Sequence, residues 1–335
     1  MRTQRSFGPR PWWVVLALAA GCATPPQPAT EATVQKHLDA AARAAASDLK
    51  PLLVLCQPAP ATRPPQDVAN RGIAALINQN PPAPDQAFDN LYYVGAKWVS
   101  AWAIKTSEGI ILIDALNNDQ EAATLIEQGL RKVGLDPAQL KTIIVTHGHG
   151  DHCGGVNYLV QRYRPRVVMS ALDWTMTETQ LEFDTPLWGA PPKRDVLAVD
   201  GDRVTLGDTT VRLYLTPGHT KGTLSAVFDV RWGSSSHKAL LWGGTAFNFG
   251  KDFERLDMYI ASTERMRALA AQQQIDVTLS NHAGYDQSID KIERLRTLPA
   301  GSNNPFVLGM PVVQRALTVM GECARATRDR FALQN

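Results

Sequence analysis

The chain has 335 residues, 44% apolar and 20% charged, an ordinary globular balance that can bury a sizeable core in one large domain or two small ones. Its formal net charge is +2, and without residues 1–21 it has 31 basic against 32 acidic side chains. That near-neutral balance excludes an electrostatic case for nucleic acid as a partner.

The N-terminus reads as an address. Arg2, Arg5 and Arg10 precede the short apolar run "WWVVLALAA", far below the roughly 20 apolar residues a membrane span needs. "LAAGC" then has the form of a bacterial lipobox, although Ala19 stands where leucine is commoner. We therefore expect a signal peptide over residues 1–21 and a lipid anchor at Cys22, with ordinary signal cleavage nearby as the alternative. Both place the protein outside the cytoplasm, in the periplasm. With Ala23 following, a lipidated Cys22 implies the outer membrane, and that anchor is the only membrane contact expected.

Residues 22–84 read as a proline-rich tether and an extension with one helix, laid over a main domain at 85–335. The helix falls in residues 31–49, where Val34, Leu38, Ala41, Ala45 and Leu49 share a face. Prolines at 58, 60, 64, 65, 81, 82 and 84 then interrupt the chain. From Phe88 onward, "NLYYVG", "VSAWAIK" and "GIILIDAL" are expected strands, followed by an amphipathic helix, "DQEAATLIEQGLRKVG", closed by Gly134. "KTIIVT" is an expected strand whose unbroken apolar run suits burial on both faces. A helix over 156–162, the strand "RVVMS" and an exposed loop at 183–195 carrying Trp188 come next. The hairpin "RVTLGDTTVRLYLTPGHT", the strands "TLSAVFDV" and "KALLWGG", the helix "STERMRALAAQQQ", the strand "DVTLSNH" and a helical tail from Val312 complete the chain. The class is α/β or α+β, with sheets covered by helices.

The chemistry concentrates in "THGHGDHCGG". Three of the seven histidines fall within residues 147–152, directly after a strand. In an extended turn, side chains two apart point the same way, so His147 and His149 can reach one metal together. Asp151 and His152 follow at a helix start and face a neighbouring position. Gly148 and Gly150 are expected to let the backbone bend, and Gly154 and Gly155 to let the new helix pack closely. Imidazoles with one carboxylate suit zinc. His219 in "LTPGHT" and His282 in "TLSNH" also end strands, where sites on layered folds assemble. The expected ligand sets are His147, His149, His219 and Asp151, His152, His282, holding two Zn2+ per chain, with Asp151 also catalytic. His37 and His237 read as ordinary packed or solvated histidines. Cys153 should point away from the ligands, and no pairing among Cys56, Cys153 and Cys323 can be chosen.

On these residues the sequence resembles the metallo-β-lactamase superfamily: "THGHGDH", "TPGHT" and "SNH" match its metal motifs in order and spacing across residues 85–335. The resemblance implies an αββα sandwich of two mixed β-sheets with zinc at one edge. It favours the third subclass of metallo-β-lactamases, whose second zinc takes Asp, His, His. "LWGGTAFNF" has neither the cysteine of the other subclasses nor the bridging aspartate of many related hydrolases, and "NPFV" also looks like that subclass. The implied activity is antibiotic-resistance chemistry, in which zinc-activated water oriented by Asp151 opens a small-molecule β-lactam. Asp114, at the end of "GIILID", is a candidate to orient a ligand, and Trp188 a candidate pocket cover. Where the subclass often carries carboxylate-binding serines this chain offers Thr245 and Asn248. The alternatives are a periplasmic lactonase or ester hydrolase of the same fold, and a non-catalytic zinc-binding envelope lipoprotein.

Overall fold

Alternation inside the apolar runs sets the layers. A computed structural model describes residues 28–299 and 301–334; the leader and Cys22 lie outside the described residues. One sheet has seven strands in chain order: β1 (Asp85–Phe88), β2 (Leu91–Tyr93), β3 (Trp102–Thr106), β4 (Gly109–Ile113), β5 (Leu140–Ile144), β6 (Arg166–Ser170) and β7 (Val196–Ala198). The other has five, with β12 (Val277–Ser280) at one edge, then β11 (Ser235–Trp242), β10 (Leu224–Trp232), β9 (Thr209–Leu215) and β8 (Arg203–Leu206). Both are mixed: β4–β7 pair in parallel, as do β11 and β12, and the remaining pairs are antiparallel.

Along β4, Ile111 and Ile113 face the opposite sheet and join Phe228, Ala226 and Leu213 in the central core. Ile110 and Leu112 face outward into a helical layer. Ile144 and Ile143 of β5 divide the same way, which is why the run from Ile143 to Val145 is apolar on both faces. The outer layer holds the helical segment at 119–132 and the helices Val156–Tyr163 and Ala171–Thr179. The far face of the five-stranded sheet is covered by Phe253–Gln273 and Met310–Leu333. The result is the αββα sandwich. Each large aliphatic or aromatic side chain removed from water in these layers contributes roughly 1.5–3 kcal/mol.

The extension packs on this frame. Thr30 caps the helix Glu31–Ala45 reciprocally with Thr33, and Val34, Ala41 and Ala45 are buried. Ala41 and Ala45 join the core layer of the C-terminal helix. A disulfide, Cys56–Cys323, fastens the extension to the C-terminal helix and, among the described residues, leaves Cys153 as the free thiol. The extension holds two α-helices and a 3-10 turn rather than the single helix expected. Gln66–Ile77 was missed because Pro64 and Pro65 were read as breaks, yet Pro65 is its N-cap. Strands β1 and β7 and the helices Ala171–Thr179, Ala283–Asp286 and Ser288–Leu295 also fall outside the expected elements; the first four are short or weakly patterned, whereas Ser288–Leu295 sets Ile289, Ile292 and Leu295 against the core. No helix among the described residues is long and apolar enough to cross a membrane.

Candidate metal centre

Strand ends from both sheets meet at one edge of the sandwich. After β5 the chain runs extended through His149 and then turns into the short helix Gly150–Cys153. His219 comes from the turn between β9 and β10, and His282 follows β12. His147 and His152 are fully buried, and His149, Asp151 and His219 nearly so.

Two triads form. Nε2 of His219 lies 3.1 Å from Nε2 of His147 and 3.2 Å from Nδ1 of His149. Nε2 of His152 lies 3.2 Å from Nε2 of His282, and Asp151 Oδ2 is 3.3 and 3.7 Å from those two atoms. All six candidate ligands therefore gather at one edge; the groups whose donor atoms lie close enough together to hold an ion are His147, His149, His219 and His147, Asp151, His152, with His282 beside His152.

The far nitrogen of every ring is engaged. His147 Nδ1 is 2.8 Å from the Gly243 carbonyl, His219 Nδ1 is 2.8 Å from that of Ala246, and His282 Nδ1 is 3.0 Å from that of Trp98. A carbonyl only accepts, so each of these Nδ1 atoms carries the hydrogen and each Nε2 presents a lone pair. His152 Nδ1 donates to Asp114 Oδ2 at 2.8 Å, and His149 Nε2 to Glu182 Oε2 at 2.9 Å. In the first triad lone pairs thus face one another, an arrangement that repels unless a cation lies among them. The separations are also near the roughly 3.3 Å edge of a tetrahedron with zinc–nitrogen bonds of about 2.0–2.1 Å. The donor set fits two metal ions.

Without metal the electrostatics divide the triads. Burial and the neighbouring imidazoles push His147 and His219 well below the ordinary histidine range. His282 is lowered to about 4 by burial and by His152. Burial opposes the charged form of His152, but Asp151 and Asp114 outweigh it and raise the ring to about 10. Burial likewise opposes charge on Asp151, yet the adjacent His152 and His282 hold it well below the carboxylate range. The apo second triad is therefore an ion pair, and metal must displace its proton.

Asp114 occupies the orienting place expected. It has φ +62 and accepts from the Thr146 amide at 2.8 Å and the Thr146 hydroxyl at 2.9 Å, besides His152. The loop glycines act differently from expectation: neither Gly148 nor Gly150 has positive φ. They are required by close approach, since a Cβ at Gly150 would come within 2.5 Å of the Trp188 ring, and one at Gly148 within 2.8 Å of Met176. Gly154 does allow the close packing expected; a Cβ there would meet the Asn117 carbonyl at 1.9 Å. Trp188 packs on Gly150 and donates to Asn117 Oδ1 at 3.0 Å.

Other expectations resolve individually. Cys153 is buried with Sγ 3.9 Å from the Gly148 carbonyl. His37 pairs with Glu322 and His237 with Asp276, each at 2.6 Å, away from the centre. Thr245 is buried with its hydroxyl 3.3 Å from that of Ser280, so it is not presented to a substrate carboxylate; Asn248 is exposed. Sequence reasoning missed Asp173, whose Oδ2 accepts from the Gly148 amide at 3.0 Å and the Thr220 hydroxyl at 2.8 Å, joining the two loops of the first triad. It also missed Glu182 and Arg255. No local pattern marks these three.

The sandwich and its edge define a metal-binding centre with two His/Asp triads. Residues 95–231 match the family model described as the metallo-beta-lactamase superfamily. BJP-1, a subclass B3 metallo-beta-lactamase of Bradyrhizobium japonicum, superposes with a TM-score of 0.64 at 29% identity, covering 72% of this chain and 92% of that one. FEZ-1 metallo-beta-lactamase from Legionella gormanii superposes with a TM-score of 0.63 at 24% identity, covering 76% and 96%. A hydroxyacylglutathione hydrolase of Rhodopseudomonas palustris (strain BisA53) is 39% identical over 111 residues, 33% of this chain and 36% of that protein. The chain thus spans little more than a third of the length of that curated relative. Residues 95–231 match the superfamily's model, and the αββα fold is shared with these solved metallo-β-lactamases.

Proposed function

We propose that this protein is a hydrolase, and specifically a zinc-dependent β-lactamase, with one ion held by His147, His149 and His219 and the other by Asp151, His152 and His282. The observation that carries the reading is His282 closing the second triad while the turn after β11 supplies no ligand. At the point where a cysteine or bridging aspartate is expected stand Gly243 and Gly244, and a Cβ on Gly244 would come within 2.6 Å of His219. Bound zinc supplies a Lewis acid for the scissile carbonyl and lowers the pKa of water toward ~7. The chain turns five imidazoles toward one edge by engaging the far nitrogen of each, and sets the Asp151 carboxylate beside them, where it can orient the attacking water. As water's oxygen bonds the carbonyl carbon, the C–N bond would break with its electron pair going to nitrogen, which takes a proton from solvent, so no serine ester is needed.

Metal analysis coupled to hydrolysis of nitrocefin, a lactone panel and a glutathione thioester, with and without chelator, tests this. Two zinc ions per chain and chelator-sensitive turnover led by nitrocefin are expected. The stretch shared with the hydroxyacylglutathione hydrolase favours a second reading, a thioester or related ester hydrolase of the same fold. Turnover led by the thioester or lactones would replace the first reading with that one. We also place the protein outside the cytoplasm, in the periplasm, with Cys22 as its lipid anchor; the Cys56–Cys323 disulfide supports an oxidising compartment.

A further inference from the structure

Three of the five ligand histidines are oriented by backbone carbonyls, and His152 by Asp114 at the end of β4. His149 is the exception. Its Nδ1 faces the first triad, so its hydrogen must sit on Nε2, and the acceptor there is Glu182. Glu182 lies in a segment, residues 180–195, without helix or strand. No ladder fixes that carboxylate, and something else has to.

Two guanidinium groups do so. Arg255, from the helix Phe253–Gln273, pairs with Glu182 Oε1, and its Nε donates to the Gly218 carbonyl at 2.8 Å, one residue before His219. Arg63 comes from the N-terminal extension. Its Nη2 is 3.5 Å from Glu182 Oε1, and its Nη1 donates to the Glu182 carbonyl. Its guanidinium also lies 4.1 Å over the ring of Phe183, which meets the His149 imidazole edge-on at 4.8 Å. A guanidinium suits this task because its planar fork grips a carboxylate and stacks on an aromatic face together.

The strap that delivers Arg63 is itself fastened. It leaves Cys56, held by the disulfide and by Arg330, whose Nη1 donates to the Cys56 carbonyl at 2.6 Å. Midway, the Ala61 carbonyl accepts from the Lys251 amide at 2.9 Å, beside the loop that precedes Arg255. Beyond it, Gln66 donates to the Asp184 carbonyl.

We propose that Glu182 and Arg63 are positioning residues of the metal centre: the extension reaches through Arg63 and Glu182 to fix the tautomer and direction of His149. This rests on the metal-site reading above. The expected consequence is selective. Removing an outer partner of a metal-bound histidine typically lowers metal affinity roughly 10–100-fold. That loss should fall on the His147/His149/His219 site and spare the Asp151/His152/His282 site.

The test uses the full chain, stripped of metal and titrated with Zn2+ against a chromophoric chelator and with Co2+ by absorption. Glu182→Ala should weaken one of the two sites roughly 10–100-fold and leave the other nearly unchanged. Glu182→Gln, which still accepts from Nε2–H, should recover part of the loss. Arg63→Ala should weaken the same site by a smaller factor, and Cys56→Ser with Cys323→Ser should reproduce the Arg63→Ala pattern. Arg63 is partly exposed, so its variant reports even where Glu182→Ala fails to fold. A wild type that takes up no metal would overturn the metal reading and this inference with it. A wild type that binds two ions, with Arg63→Ala and the folded Glu182 variants unaltered, would overturn this inference alone.

Discussion

The two sides of the metal centre are built by different means. On the sheet side, His152 leans on Asp114, a fully buried carboxylate at the end of β4 held by Thr146. On the loop side, His149 leans on Glu182, a partly exposed carboxylate held by arginines from a distant helix and from the extension. The chemical task is the same: fix a proton on one ring nitrogen so that the other faces the metal. The difference teaches that one half of the site is part of the sandwich itself, whereas the other depends on segments added around it.

Loss of Asp151 should have the largest effect, because it acts on both water and metal. Asp151→Ala is expected to lower kcat roughly 10²–10⁴-fold and to leave the all-histidine triad able to hold one ion. Metal content per chain and turnover measured on the same preparation check this; unchanged values would remove the role given to Asp151.

Asp114→Ala comes next and should separate the two sides most clearly. It strands the His152 Nδ1–H and the Thr146 amide in a buried setting, costing about 3 kcal/mol, and weakens the second triad. Denaturant unfolding of the metal-free protein should show that cost, while Glu182→Ala should show much less. Equal destabilisation by both would mean that the two carboxylates are equally structural.

Reduction of Cys56–Cys323 should destabilise the fold by roughly 2–4 kcal/mol and leave the sheet side of the centre intact. Unfolding with and without a phosphine reductant, with the Co2+ spectrum followed in parallel, is the measurement.

The smallest effect is expected at a carboxylate away from the centre. Glu127 accepts from Tyr158 and Arg131 and pairs with Arg162; burial opposes its charge, but these partners outweigh it and lower the group to about 2. A depressed carboxylate stabilises the fold above its unfolded value near 4.5, and that contribution is lost as pH falls through about 2. Glu127→Gln should remove about 1 kcal/mol at neutral pH after allowance for solvent screening. It should also flatten the Tm profile between those values without changing metal affinity. A metal effect here would show that the centre senses the helical layer generally.

What the sequence made legible follows the same division. His147, His149, Asp151 and His152 are contiguous, His219 and His282 end strands, and Asp114 closes an apolar run, so each carries a local signal. Glu182 has none: it becomes functional only when Arg63, 119 residues earlier, lies beside it. The disulfide was equally illegible, because nothing near Cys56 or Cys323 indicates that helices 267 residues apart in sequence are neighbours. Gly148 and Gly150 were identified for the wrong reason; turn chemistry suggested bending, whereas crowding by Trp188 and Met176 sets the requirement.

The bridge between Cys56 and Cys323 also bears on how the molecule is made. Synthesis runs from the N-terminus, so Cys56 emerges long before its partner exists. Until Cys323 leaves the ribosome, the helix Glu31–Ala45 lacks the face of Met310–Leu333 that it packs on, and this bridge cannot form. Oxidation then becomes a completion mark, set only on chains whose first and last segments have found each other.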